Sequence, residues 1–299
     1  VYDAANQLSS SEDAGGTTTY TYDGNGNQHV TVAPGGVRTT QIWDYENRLV
    51  RTILPTTAVT SMAYDADGLR VKKETPTEAK LFVWNDQNYL AETDESGVPQ
   101  MTYTTEPSTY GSTLSQSDGG GSSFFVYDAL GATRSIIDTS EEYPIDYDYT
   151  AFGTIRETPY IYTPFLWGGM VGYYWDGDLG SHYIRARHYQ PNITRWVSLD
   201  PIGFAGGDAN LFRYVGNSPT SGTNVDPSGL TEYSTPINSP PPGWTCETAK
   251  AKLDQLREKW NSLGYKYSVE LLDAFLNKTP KNQVIVVSMC DGLISDKRF

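Results

Sequence analysis

Residues 22 to 27 read Tyr22-Asp23-Gly24-Asn25-Gly26-Asn27, an aromatic–acid pair followed by a run of turn-forming residues. Residues 64 to 68 repeat the arrangement as Tyr64-Asp65-Ala66-Asp67-Gly68. Because glycine and asparagine tolerate positive φ, both stretches are predicted to be hairpin turns. One short hairpin cannot bury its apolar face, whereas stacked hairpins pair their edges into one twisted sheet. The pattern therefore predicts a mainly β fold.

The aromatic–acid pair recurs at a nearly constant interval. It starts at residues 2, 22, 43, 64 and 84, at intervals of 20, 21, 21 and 20 residues, with Trp43-Asp44 and Trp84-Asn85 replacing Tyr-Asp. Two further pairs, Tyr127-Asp128 and Tyr147-Asp148, are again 20 residues apart. Residues 85 to 126 interrupt the series, and the run Asp118-Gly119-Gly120-Gly121 is predicted to be an exposed loop. A fixed period of this length is typical of repeat architectures.

The composition limits the classes of function. The chain has 299 residues, 38% of them hydrophobic, and 22 Tyr and 7 Trp against 9 Phe, which favours half-exposed sheet faces. A formal charge of −14 disfavours nucleic acid or anionic lipid as a partner of the main body. No run approaches the roughly 18 apolar residues that a membrane span requires. The series begins mid-pattern at Val1-Tyr2-Asp3, so we expect the chain to be part of a longer protein.

Residues 165 to 230 carry four linked motifs. In order, they are Tyr183-Ile184-Arg185-Ala186-Arg187-His188-Tyr189-Gln190-Pro191, Arg195-Trp196-Val197-Ser198-Leu199-Asp200-Pro201-Ile202-Gly203, Asn210-Leu211-Phe212-Arg213-Tyr214-Val215-Gly216-Asn217-Ser218-Pro219 and Asp226-Pro227-Ser228-Gly229-Leu230. This ordered set resembles the Rhs repeat-associated core, and the Tyr-Asp units resemble the YD repeats of Rhs and teneurin-like proteins and of toxin-complex C subunits. The sequence departs from the family pattern at Gln190 and Thr194.

The resemblance implies a fold and a division of the chain. It implies a cocoon-like YD-repeat β-hairpin shell over residues 1–164, closed by the Rhs core over residues 165–230. A Pro-rich linker over residues 231–244 and a variable, effector-like segment over residues 245–299 are expected to follow. Helical spacing from Thr245 to Leu263, a short helix around Val269 to Leu276 and the apolar run Val284-Ile285-Val286-Val287 predict a small α/β piece there.

The resemblance also implies a reaction. Many family members cut themselves after the Leu of Asp-Pro-x-Gly-Leu, which places the paired aspartates at Asp200 and Asp226 and the scissile bond between Leu230 and Thr231. Two carboxylates that share a site can divide the roles of acid and base, because like charges close together cannot both ionise easily. The chain is therefore a candidate single-turnover aspartic-type autoprotease. Arg195 is the next candidate, to orient a carboxylate or polarise the scissile carbonyl.

An alternative interpretation of these residues stays open. Asp-Pro opens many turns, so Asp200-Pro201 and Asp226-Pro227 could form two type I turns with no catalytic role. His182 and His188 lie among aromatics at strand-like spacing, which favours packing over metal binding. We expect no metal and no cofactor.

Three functions follow from these observations. The first is the shell of an Rhs-type polymorphic toxin or surface protein, secreted or displayed, that encloses its own C-terminal segment and cuts after Leu230; its other partners would be secretion machinery or surface glycans and proteins. The second is a non-enzymatic cell-surface or adhesion protein that binds glycans or proteins through exposed aromatics. The third makes the segment after residue 230 the active enzyme.

Overall fold

The computed structural model of the chain describes residues 1–138, 145–156, 160, 162–219, 224–230, 233–234, 285–289 and 292–296. Residues 10 to 146 form one antiparallel meander, called here the repeat sheet, in which each strand pairs with its neighbours in sequence. Its strands are β1 Ser10–Asp13, β2 Gly16–Tyr22, β3 Gln28–Ala33, β4 Val37–Trp43, β5 Leu49–Ile53, β6 Val59–Tyr64, β7 Arg70–Glu74, β8 Ala79–Asn85, β9 Asn88–Thr93, β10 Pro99–Thr105, β11 Thr113–Ser117, β12 Ser122–Tyr127, β13 Thr133–Asp138 and β14 Ile145–Asp146. The mainly β prediction is confirmed. The path runs from β1 to β14 without returning, so within the described residues the sheet does not close on itself.

In most repeats the aspartate builds the turn that follows it. In the turn after β2, Asp23 Oδ1 accepts hydrogen bonds from the backbone N–H groups of Asn25 and Asn27, both at 2.9 Å. Three residues after the aspartate the backbone has positive φ, as at Gly26 (φ +83°). The same two hydrogen bonds form at Asp3, Asp44, Asp65, Asp94 and Asp128. The pair is therefore a turn signal because a short carboxylate can accept from its own downstream backbone.

The aromatic residue of each repeat ties its hairpin to the preceding one. Tyr64 donates its hydroxyl proton to the carbonyl of Leu49 at 2.8 Å, and the indole N–H of Trp84 donates to the carbonyl of Arg70 at 2.9 Å. Equivalent bonds run from Tyr22 to Leu8, Trp43 to Gln28, Tyr127 to Thr113 and Tyr149 to Thr133. Because phenylalanine has no donor, the recurring bond explains why Tyr and Trp occupy this position.

A β-bulge stands directly before the aromatic residue in most repeats. The pairing register shifts between Thr21 and Tyr22, and again between Ala63 and Tyr64. The shift recurs before Trp43, Trp84 and Tyr127. A bulge increases the local right-handed twist, so one bulge per repeat makes the sheet coil rather than extend flat.

The inter-repeat bond can be tested at Tyr64. Replacing Tyr64 by phenylalanine is expected to lower the free energy of unfolding by about 1 kcal/mol, because the ring is kept and the hydrogen bond to the Leu49 carbonyl is lost. Urea unfolding followed by tryptophan fluorescence measures the change. Tyr45→Phe is the control, since the Tyr45 side chain is fully exposed. Loss of its hydroxyl group should leave the urea midpoint unchanged. Equal midpoints for the two variants would contradict the role of the tyrosine hydroxyl.

Two repeats differ from the sequence prediction. After β14 the turn is built at Tyr149-Thr150, not at Tyr147-Asp148: Thr150 Oγ1 accepts from Thr154 N–H at 3.0 Å, and Gly153 has φ +86°. Within residues 85 to 126, where the series was expected to break, strands β9 to β11 continue the meander, and Asp94 forms a regular repeat turn. The exposed loop at 118 to 121 is confirmed as the turn between β11 and β12.

The segment of residues 165 to 230, called here the core segment, packs on one face of the repeat sheet. It contains a second antiparallel sheet made of β15 Tyr174–Asp176, β16 Ser181–Ile184, β17 Arg187–Gln190 and β18 Arg195–Trp196. The remaining strands are β19 Asn224–Val225, β20 Tyr233–Ser234, β21 Ile285–Met289 and β22 Gly292–Asp296. The two helices predicted after residue 244 lie outside the described residues. Among the residues that are described, no helix combines the length and apolar character needed to cross a bilayer.

Aromatic rings from both parts form one core. Phe165 is fully buried and contacts Tyr103 with ring centroids 4.8 Å apart and Tyr89 at 5.2 Å. At the other end of the repeat sheet, Tyr22 meets Phe212 at 5.6 Å. Buried rings of the core segment therefore pack against the repeat sheet at β2, β9 and β10.

Candidate functional site

Residues 226 to 230, called here the 226–230 turn, form a buried turn that needs its glycine. Gly229 has φ +74°, and a Cβ atom there would lie 2.4 Å from the carbonyl oxygen of Ile184. Asp226 Oδ1 accepts hydrogen bonds from the N–H of Leu230 and from the Ser228 hydroxyl, both at 3.1 Å. The motif thus folds into one compact unit in which Asp226 contacts the backbone of Leu230.

The hairpin between β16 and β17 holds this turn through three successive carbonyls. Arg185 Nη1 donates to Pro227, Ala186 N–H donates to Ser228 at 3.2 Å, and Arg187 Nε donates to Gly229. Arg185 adopts φ +46° in the turn of this hairpin. Each of the three backbone carbonyls before Leu230 is therefore held by a hydrogen bond from the hairpin.

The structure brings the two predicted aspartates to one guanidinium nitrogen. Arg187 Nη2 lies 3.0 Å from Asp200 Oδ2 and 3.2 Å from Asp226 Oδ2. All three side chains are largely shielded from water: Arg187 and Asp226 are buried, and the side chain of Asp200 is 12% exposed. The Arg187 guanidinium also lies 4.1 Å from the ring centre of Trp196. Residues that are 26 positions apart in the sequence thus share one cation.

Asp200 and the carbonyl of Leu230 both lie close to Gly206. A Cβ atom on Gly206 would be 3.2 Å from Asp200 Oδ2 and 3.4 Å from the Leu230 oxygen, so the carboxylate and the carbonyl flank the same glycine. Asp200 Oδ1 accepts from the N–H of Ile202 at 3.0 Å, which orients the carboxylate. Thr231, the other residue of the predicted scissile bond, lies outside the described residues.

The two carboxyls have different surroundings. Desolvation raises the pKa of Asp200 above its usual value, and this effect outweighs the opposing attraction of Arg187. Desolvation also lowers the pKa of Arg187, against the attraction of Asp226 and Asp200. Asp226 accepts from Leu230 N–H, the Ser228 hydroxyl and Arg187, a set of donors that suits an ionised carboxylate. Arg187 therefore contacts one carboxyl whose pKa is raised and one carboxyl that accepts several hydrogen bonds.

Arg195 does not occupy the position that the sequence suggested. Its Nη2 donates to the carbonyl of Asn6 and to Asn210 Oδ1 at 3.2 Å, and its guanidinium lies 4.7 Å from the ring centre of Tyr2. It joins the core segment to the first repeat turn, and Arg187 is the arginine at the carboxylates. Sequence reasoning missed Arg187 because four arginines stand within the motifs and nothing in their spacing tells which one faces the aspartates.

The two histidines of the core segment are packed inside it. His182 lies between Trp175 and Trp167, with ring centroids at 4.9 Å and 5.7 Å. Burial lowers the pKa of His182 and of His188 to about 3. Both rings are therefore neutral at ordinary pH, as the packing interpretation requires.

Comparison with known proteins identifies the repeats. The family model described as RHS Repeat matches residues 2–40. The tRNA3(Ser)-specific nuclease WapA of Bacillus spizizenii is 30% identical over 231 residues, which are 70% of this chain and 9% of that protein. The chain belongs to the Rhs-repeat family. The double-stranded DNA deaminase toxin A of Burkholderia cenocepacia is 29% identical to this Rhs protein over 238 residues, which are 72% of this chain and 15% of the relative.

Solved structures have the same fold. The Photorhabdus luminescens Tc holotoxin pore matches the Rhs chain with a TM-score of 0.51 and 17% identity, over 80% of this chain and 15% of the other. The TcdB2-TccC3-TEV crystal structure matches with a TM-score of 0.50 and 18% identity, over 77% of this chain and 15% of the other. The Rhs chain therefore spans roughly a tenth to a seventh of the length of these proteins.

Proposed function

We propose that this Rhs chain is the end of a shell that encloses its own C-terminal segment and cuts the bond between Leu230 and Thr231 once. The observation that carries the proposal is the shared contact of Asp200 and Asp226 with Arg187, beside the backbone of Leu230. Paired carboxyls with a raised pKa on one of them are the equipment of acid–base peptide hydrolysis. The carbonyl of Leu230 stays in place because the preceding carbonyls are clamped, which replaces a bimolecular encounter by fixed geometry.

The proposed reaction uses one water molecule and returns both carboxyls to their starting state. Asp226 takes a proton from water, the hydroxyl oxygen bonds to the carbonyl carbon of Leu230, and Asp200 gives its proton to the carbonyl oxygen. The bond from that carbon to the nitrogen of Thr231 then breaks. Asp226 passes its proton to the leaving amine, and Asp200 recovers its proton as the new Leu230 carboxyl group forms. Arg187 keeps the charge of the pair balanced throughout.

The enclosure of the C-terminal segment is supported by one pairing. Strand β21 hydrogen-bonds antiparallel to β12, with Val126 opposite Val287 and Tyr127 opposite Val286. Part of the segment after residue 230 thereby adds to the repeat sheet itself. By this proposal the segment is the cargo of an Rhs-type toxin that acts outside the producing cell, after secretion or at the cell surface, where secretion machinery or surface glycans and proteins are further partners.

Intact mass under denaturing conditions tests the cut. We expect two chains from the purified protein, one ending at Leu230 and one beginning at Thr231, which remain together under native conditions. N-terminal sequencing of the smaller chain fixes the position of the cut. A single chain of 33.1 kDa after prolonged incubation of the folded protein would reject the proteolytic function and favour a non-enzymatic adhesion protein instead.

A further inference from the structure

Arg185 is a buried cation whose hydrogen bonds end on backbone carbonyls. Nε and Nη2 donate to the carbonyl of Gln87 at 2.9 Å and 2.6 Å, and Nη1 donates to the carbonyls of Val171, at 3.1 Å, and Pro227. The guanidinium also lies 4.9 Å from the ring centre of Tyr110. Burying a cation is unfavourable unless polar groups surround it, so this side chain requires all three carbonyls to converge.

The three carbonyls belong to separate parts of the fold. Gln87 lies in the tight turn between β8 and β9 of the repeat sheet. Val171 lies in a short 3-10 turn of the core segment, and Pro227 follows Asp226 directly in the 226–230 turn. Gly172 leaves room for the guanidinium, because a Cβ atom there would be 3.0 Å from Arg185 Nη2. One side chain therefore connects a repeat turn to the backbone next to the paired carboxyls.

The connection has a direct consequence for Asp226. Pro227 is the first of the three clamped carbonyls and directly follows Asp226 in the chain, so we expect a shift of Arg185 to move the Asp226 carboxylate relative to Arg187 and Leu230. Reacting groups displaced by about 1 Å can lose roughly a hundredfold in rate. Arg185 itself contacts carbonyls rather than the carboxyls, so its effect would act through position alone.

We propose, on the basis of the cleavage proposed above, that Arg185 is a positioning residue that couples cleavage to the docking of the Gln87 turn. The 226–230 turn reaches its reactive position when the repeat sheet supplies the Gln87 carbonyl, and a core segment that is not docked on β8 and β9 does not cut. The device would delay cleavage until this part of the shell has assembled around the core segment.

Refolding kinetics of the full chain test the coupling. Three chains are compared: wild type, Arg185→Lys and Arg195→Lys. Each is isolated uncut in urea and diluted to start refolding, and the fraction of cut chain is followed over time by mass. We expect Arg185→Lys to cut about 10- to 100-fold more slowly, because one ammonium group cannot hold three carbonyls. Arg195→Lys is the matched control, since Arg195 also joins the core segment to a repeat carbonyl, that of Asn6, without contacting the 226–230 turn. It should cut near the wild-type rate.

A second set of measurements separates positioning from stability. Both lysine variants are placed in chains that carry Asp226→Asn, and their urea midpoints are compared; we expect similar midpoints despite the different cleavage rates. Arg185→Gly adds a rescue test, because glycine adopts φ +46° without strain and leaves a guanidinium-shaped space. Millimolar guanidinium should speed its cleavage.

The outcomes distinguish the two proposals. Wild-type cleavage with an unaffected Arg185→Lys, or equal slowing of both lysine variants in proportion to lost stability, would overturn the role of Arg185 and leave the paired-aspartate cleavage standing. A folded Arg185→Gly chain that guanidinium does not rescue would also count against it. A wild-type chain that never cuts would remove both.

Discussion

The Asp226→Asn chain is expected to remain whole, with cleavage slowed by about 100- to 10,000-fold, the range for loss of a general acid–base group. Asparagine has nearly the same shape and keeps an oxygen that can accept from Leu230 N–H and Ser228, so the 226–230 turn is preserved. What disappears is the negative charge beside Arg187 and the group that takes the proton from water. Asp200→Asn should have a similar effect, because it removes the carboxyl that acts as the acid in the proposed reaction.

The matched control for both variants is Asp208→Asn. Asp208 lies in the same core segment and is also paired with an arginine, Arg213, at 2.6 Å, but it is partly exposed and lies outside the pair held by Arg187. Intact mass after equal incubation should show a cut Asp208→Asn chain and whole Asp226→Asn and Asp200→Asn chains. Thermal unfolding confirms that all three are folded. Cleavage of the Asp226→Asn chain after Leu230 at the wild-type rate would contradict the paired-aspartate mechanism.

The repeat architecture could be predicted because its determinants are local. An aspartate that accepts from its own downstream backbone, followed by a residue that tolerates positive φ, defines a turn wherever it occurs. The unit at Asp94 was missed because Thr93 stands where an aromatic was sought, although the aspartate and Gly97 are both in place. The unit at Tyr149 was misplaced by two residues because Tyr147-Asp148 matches the letters, while Thr150 supplies the oxygen that builds the turn.

The candidate site could be predicted only in part, because its geometry is not local. The Asp-Pro-x-Gly-Leu motif identified Asp226, and the ordered motifs identified Asp200. The choice between Arg187 and Arg195 depends on the hairpin between β16 and β17, from which Arg185, Ala186 and Arg187 donate to the 226–230 turn. Arg195 lies in β18, the next strand along the chain, and contacts the first repeat turn instead. Spacing in sequence carries no information about that choice.

A second large effect is expected at the charged contact between the repeat sheet and the core segment. Arg70 and Asp176 are both fully buried, and Arg70 Nη1 lies 2.6 Å from Asp176 Oδ2, while Lys73 Nζ lies 2.8 Å from Asp176 Oδ1. The guanidinium of Arg70 also lies 4.3 Å from the ring centre of Tyr183. Burial opposes ionisation of Asp176, but the attraction of Arg70 and Lys73 prevails and lowers the pKa of its carboxyl.

Asp176→Asn should therefore lower the free energy of unfolding by about 3–5 kcal/mol at neutral pH, the range for removing one partner of a buried ion pair. The loss arises because Arg70 remains buried as a cation after its counterion is gone, while the shape of the side chain barely changes. Because the folded-state pKa of Asp176 is lowered, its contribution is present above the ordinary carboxyl pKa and is lost as the pH falls. Urea unfolding at pH 7, in chains kept whole by Asp226→Asn, measures the difference.

The partly exposed pair of Asp208 and Arg213 provides the comparison, since water screens it. Asp208→Asn in the same background should change the free energy of unfolding by less than about 1 kcal/mol. Asp176 joins β15 of the core segment to β7 of the repeat sheet, so its loss should also weaken the docking that holds Tyr183 against Arg70. Equal destabilisation by the two substitutions would mean that the buried charges do not hold the core segment in place.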